Sequence, residues 1–179
     1  MRQKRITTII MASAMVLALM GCGNGSAGAI STEITQADPS FEYNGKTVSF
    51  TDDPQTVVEA IKSVAELADE VDGTESSGKT YDFDKNGENY NLSISTSADE
   101  GNEIIGSMLV NGGEFKTSKG IGIGSKAEEV EAAYGNPNER TKLKKEEIYA
   151  YKCDGYSFSF TIKGGQVKSI LYSNSNFHG

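Results

Sequence analysis

Asp82-x-Asp84-x-Asn86-Gly87 has the spacing that opens an EF-hand calcium loop. A hard cation held that way needs a bidentate carboxylate at loop position twelve, and that position is Ser93. The stretch therefore reads as the turn of a hairpin, not as a metal site. Gly120-x-Gly122-x-Gly124-Ser-Lys126 imitates a phosphate loop, but four residues do not separate the first Gly from a Gly-Lys pair. Its glycines read as close packing of a strand against a helix.

Cys153 is one of two cysteines, and the lone His178 stands next to the C-terminus. Neither a zinc set nor a Ser–His–Asp or Cys–His arrangement can be assembled from so few residues. Cys153 sits opposite Tyr156 on the apolar side of a predicted hairpin, so it is expected to be a buried, inert thiol. The chain is expected to have no catalytic residues, no metal and no cofactor.

The other cysteine carries the clearest chemistry. Arg2, Lys4 and Arg5 precede the apolar run 6–20, and Leu19-Met-Gly-Cys22 follows as a lipobox. The small Gly21 before Cys22 is what a lipoprotein signal peptidase requires, and the Cys22 sulfur would then receive a diacylglycerol. The apolar run is shorter than the ~20 residues of a membrane span. Residues 1–21 are thus expected to be a signal peptide, and 22–40, rich in Gly, Ser, Ala and Thr, a lipid-anchored flexible linker. Gly23 after the cysteine gives no sign of inner-membrane retention in a two-membrane cell and suits a one-membrane bacterium equally well, so the expected location is the extracytoplasmic face of the cell membrane.

Removing 1–21 takes away three of the 17 basic residues and none of the 25 acidic ones, so the formal balance moves from −8 to −11. An acidic chain offers no nucleic-acid footprint, and charge alone would not hold it to anionic lipid. Arg140, Lys142, Lys144 and Lys145 form the basic cluster of the mature part, in what reads as a solvated loop from 136 to 147.

Residues 41–179 are the right size for one domain. Within them the stretch 119–137 reads as a strand, a short helix capped by Ser125 with Glu128, and a stop at Gly135 and Pro137. A weaker copy lies at 48–61, with Asp52 as cap, Gln55 in the box and Pro54 in the first turn. Val57, Ile61, Val64, Ala68 and Val71 extend the helical spacing of that copy. Two hairpins then align without a gap, 81–94 on 149–162, with Asn86-Gly87 falling on Asp154-Gly155 as type I′ turns. That register sets Phe83 against Tyr90, Tyr81 against Leu92, Tyr151 against Phe158 and Tyr149 against Phe160. Strands at 103–110 and 166–173 close each unit, and Asn44-Gly45 opens the domain with a small hairpin. The predicted fold is α+β: two tandem helix-plus-antiparallel-hairpin repeats, about 41–112 and 113–179, sharing one antiparallel sheet with helices on one face.

Ile121-Gly-Ile-Gly-Ser-Lys-Ala-Glu-Glu-Val130 with Tyr134-Gly-Asn-Pro137 resembles a signature of β-lactamase-inhibitor-protein-like domains and of SmpA/OmlA-type small lipoproteins. The resemblance implies a helix-on-sheet fold and a protein-binding or envelope-assembly role, and it favours a one-membrane bacterium as the setting. No inhibitory loop is carried over with it.

The functional expectation is a lipid-anchored protein that binds an envelope or extracellular protein without catalysis. The alternative is a module sensing a small ligand or cell-wall glycan, and a hydrolase comes third. Alternation places Tyr and Phe on the helix side of the sheet, leaving Asp82, Asn89, Asn91 and Ser93, then Lys152, Ser157, Ser159 and Thr161, on the other. This second face, shallow and polar, is the predicted partner-binding surface.

Overall fold

Tyr156, Phe158, Phe160 and Ile162 alternate with Ser157, Ser159 and Thr161, and a chain so patterned lies flat as a strand with one dry side. The computed structural model describes residues 35–73, 77–99 and 101–175. The expected signal peptide and lipidation site, 1–21 and Cys22, and also His178, lie outside the described residues.

Among the described residues eleven strands outnumber two short helices. In chain order they are β1 Ser40–Tyr43, β2 Lys46–Ser49, α1 Pro54–Lys62, β3 Leu67–Asp72, β4 Ser77–Asn86, β5 Asn89–Asp99, β6 Asn102–Val110, β7 Phe115–Thr117, α2 Ala127–Tyr134, β8 Glu139–Lys142, β9 Glu146–Lys152, β10 Tyr156–Lys163 and β11 Gln166–Asn174. Eight strands form one antiparallel sheet in the order β3-β4-β5-β6-β11-β10-β9-β8, and a second sheet runs β2-β1-β7.

This corrects the expected α+β repeat. The protein is mostly β, and one face of the large sheet is covered by a second sheet together with the helices. The small sheet also joins β1 and β2 to β7 across the predicted repeat boundary, pairing Phe41 with Thr117 and Tyr43 with Phe115. The two supposed copies diverge before their helices. Val48 lies in β2, but 121–125 forms no strand, and Gly120 and Gly124 hold φ of 79° and 86° there. Gly122 has a different reason to be glycine, because a Cβ would come within 2.3 Å of the Phe115 carbonyl oxygen.

Helix α1 is also shorter than its apolar spacing suggests. Ser63 Oγ donates to the Ala60 carbonyl at 2.6 Å and ends it, and Ala68 and Val71 lie on β3 instead. Its cap is Asp53, which accepts the Thr56 amide at 3.0 Å, while Asp52 accepts the Ser49 amide. Helix α2 begins one residue later than predicted. Backbone bonds from Ala127 to Gly165 and from Val167 to Ser125 pull its approach onto β11. Glu129 then accepts the Lys126 amide, and Ser125 Oγ accepts that of Gly122.

Between the layers the core is aromatic. Phe50 meets Tyr172 at 5.5 Å, Phe41 stacks on Phe115 at 5.4 Å, and Tyr134 of α2 meets Phe158 edge-on at 4.9 Å. Residues 35–40, assigned above to the linker, are held to the domain. Thr35 donates its amide to the Lys152 carbonyl, and Tyr156 donates its hydroxyl to the Ala37 carbonyl at 2.8 Å.

Candidate functional site: the open face of the large sheet

The hairpin β9–β10 has the predicted register, with Tyr151 opposite Phe158 and Tyr149 opposite Phe160. The β4–β5 hairpin is slipped by two residues. Phe83 faces Leu92 and Tyr81 faces Ile94, because Asn86 pairs with Asn89 and the turn is Gly87-Glu88. The register then runs unbroken from Asn86–Asn89 to Thr80–Ser95, past Asp84 with its φ of 51°. The turn types follow from which residues have positive φ. Asn44-Gly45 and Gly164-Gly165 have it at both central positions, as a type I′ turn demands, whereas Asp154-Gly155 has it at Gly155 alone.

Pairing across the strands composes the open face row by row. One row crosses all eight strands as Asp69, Asp82, Ser93, Leu109, Leu171, Ser159, Ala150 and Glu139, each the direct partner of the next. Seven spacings of about 4.8 Å give it a length of roughly 34 Å. The next row carries Thr80, Ser95, Ser107, Ser173, Ser157 and Lys152. Between them the opposite face turns Tyr81, Ile94, Met108, Tyr172, Phe158 and Tyr151 into the core.

All seven predicted partner-binding residues alternate with core residues and lie on this face. They are not equally available. Asp82 is buried and its carboxylate accepts the Ser93 hydroxyl, so these two groups satisfy each other. Asn91, Ser157, Ser159 and Thr161 are half-buried, and Lys152 is exposed. Asp84, from the same acidic motif, is engaged elsewhere, accepting the Tyr43 hydroxyl and the Glu66 amide. Among the described residues no three His, Cys, Asp or Glu side chains are grouped to hold a metal.

Sequence reasoning missed the centre of the face. Leu109 and Leu171 are paired there at 37% and 39% exposure. The signal was present: Met108-Leu-Val110 and Ile170-Leu-Tyr172 each put three apolar residues in a row on a strand, and the middle one must then face outward.

The basic cluster divides. Arg140 lies over the Tyr149 ring at 4.2 Å and pairs with Glu131, so it belongs to the packing of α2 on the sheet. Lys144 and Lys145 stand exposed at the β8–β9 tip, beside a cleft of about 380 Å³ that also takes in Leu143, Ile162 and Ala127. Cys153 is buried, and burial pushes its thiol up from the ordinary value. No helix among the described residues is long and apolar enough to cross a membrane.

No family model and no curated protein matches the chain. Among solved structures it is similar to a DUF4309 family protein, YjgB, from Bacillus subtilis subsp. subtilis str. 168. The identity is 15% and the TM-score 0.41, over 69% of this chain and 79% of that one.

Proposed function

We propose that the chain is a lipid-anchored, extracytoplasmic binding protein without catalytic activity, which takes an envelope or extracellular protein on the open face of its large sheet. The lipobox ending at Cys22 supports the anchor, and the resemblance of 121–137 to small envelope lipoproteins supports the location.

The observation that carries the docking reading is the pair Leu109–Leu171 in mid-sheet, flanked by Ser93 and Ser159 and ending in Asp69, Asp82 and Glu139. An apolar centre inside a polar rim is the anatomy of a protein interface. The row is also long enough for a contact of the usual ~800 Å² per partner.

Two measurements test the two halves of the reading. Cys22→Ala should leave an unprocessed precursor that takes up no labelled fatty acid, and normal maturation of that variant would remove the anchor. A photo-crosslinking residue at position 171 should capture a discrete protein in intact cells, while one at 144 should not. Capture from 144 alone would move the site to the β8–β9 tip.

A further inference from the structure

At one corner of the sheet, where the β4–β5 turn meets the end of β6, a cleft of about 350 Å³ is lined by Asn86, Asn89, Tyr90, Asn91 and Asn111. Four of its five lining residues are asparagines. Asn89 and Asn91 lie on a strand, where asparagine is disfavoured, so turn chemistry does not account for them.

The amides are arranged, not merely collected. Asn86 Nδ2 donates to Asn91 Oδ1 at 3.3 Å, and Asn111 Nδ2 donates to the Tyr90 carbonyl at 3.3 Å. A Cβ on Gly112 would come within 2.3 Å of Asn91 Oδ1, so the glycine is what leaves room for that side chain. Backbone bonds from Asn111 and Gly112 to the Asn91 carbonyl fix the far wall.

The bonds already made leave a definite remainder. Asn91 Nδ2 stays free to donate, Asn86 Oδ1 and Asn111 Oδ1 stay free to accept, and the Asn89 amide is used by nothing among the described residues. Free donors and acceptors thus occur together in a cleft whose lining carries no formal charge. An ion would find no counter-charge there. A vicinal pair of hydroxyls, each both donor and acceptor, matches it. Tyr90 contributes its backbone carbonyl to the wall, while its phenol reaches the other way to Asp69. The volume falls within the roughly 300–1,000 Å³ of small-ligand sites.

We propose that this corner cleft binds a short, uncharged saccharide segment through the side-chain amides of Asn86, Asn89, Asn91 and Asn111. The site is separate from the Leu109–Leu171 centre and does not depend on the protein-docking reading.

The test is a titration of the full chain with chitotetraose and with maltotetraose, followed through the asparagine side-chain amide resonances. Saturable shifts confined to the cleft residues are expected with at least one probe. A response to chitotetraose alone would assign acetamido recognition, and a response to both would assign hydroxyl recognition. Asn89→Ala, which breaks no internal bond, should weaken binding at least tenfold with an unchanged melting temperature. Asn91→Asp, which keeps the size but adds charge, should do the same. Ser159→Arg, on the docking face, should leave saccharide binding as it was. Absence of shifts with either sugar, or unaltered affinity in both asparagine variants, would overturn the proposal.

Discussion

Tyr43 donates its hydroxyl to Asp84 Oδ2 across 2.7 Å, and this bond ties the small sheet to the large one. Tyr43 is fully buried at the end of β1. Asp84 is the left-handed residue of β4, and its other oxygen accepts the Glu66 amide ahead of β3 at 3.0 Å. One carboxylate thus fastens three separate segments. Tyr43→Phe would leave Oδ2 with only the 3.4 Å contact from Asn44. The cost should be about 1–3 kcal/mol, the penalty of an under-satisfied polar group in a dry place. Urea unfolding checks it, and a change below ~0.5 kcal/mol would mean the bond is not a fastening.

The buried phenols predict an alkaline limit. Burial, followed by the Asp84 carboxylate, raises Tyr43 well above the ordinary tyrosine value. Burial also raises Tyr151, Tyr156 and Tyr172. A group whose folded pKa exceeds its unfolded one binds its proton more tightly in the folded state. Its contribution is therefore complete below the unfolded value of ~10 and declines as pH rises beyond it. Melting temperature should be flat with respect to these groups below pH ~10 and fall steeply above it. Absorbance at 295 nm should show part of the tyrosines ionising only as the protein unfolds. Smooth ionisation of all eight before unfolding would contradict the burial.

Cys153 should behave as packing rather than chemistry. Burial raises its thiol, and a thiol that stays protonated is a poor nucleophile. In the Cys22→Ala chain, where Cys153 is the one remaining thiol, a disulfide reagent should react only after denaturant is added. Prompt reaction in buffer would place Cys153 at an open site. Cys153→Ala should cost about 1 kcal/mol and leave partner capture unchanged.

Asp53, rather than Asp52, closes the start of α1. Asp53→Ala should therefore destabilise by about 1 kcal/mol, and Asp53→Ser should recover most of that. Denaturation midpoints of the two variants decide it. Equal midpoints for both variants would deny the cap.

The strands visible in the sequence were those with a buried side. Tyr149 to Lys152 and Tyr156 to Ile162 announce themselves by strict alternation, and the register between them follows from their turn. The strands β3 and β8 were not legible. Glu139-Arg-Thr-Lys142 has no buried member, and Leu67–Asp72 is exposed along nearly all its length. Both are sheet edges, where charge discourages pairing with another chain and erases the apolar signal a reader looks for. The β4–β5 turn misled in a different way. It falls on Gly87-Glu88 rather than on Asn86-Gly87, and that one-residue move of the turn shifts the pairing by two. The repeat was inferred from short matching motifs, but pairing between β1 and β7 is a long-range event that local motifs do not report. For the candidate site, alternation identified the polar members, whereas the two central leucines were lost among apolar residues already assigned to the core.

The join between β6 and β11 has a consequence for how the protein is made. Every other neighbouring pair in the large sheet is consecutive in the chain, so each can form soon after it is synthesised. Leu109 and Leu171, by contrast, are 62 residues apart. While the second half is still being made, β6 is an unfinished border with bare amides and carbonyls, and Leu109 lies beside it. Its rightful neighbour is the last strand to arrive. The chain is thus most open to coupling with a second nascent copy in that interval, and slowed synthesis of β11 should yield paired, misassembled molecules joined along β6.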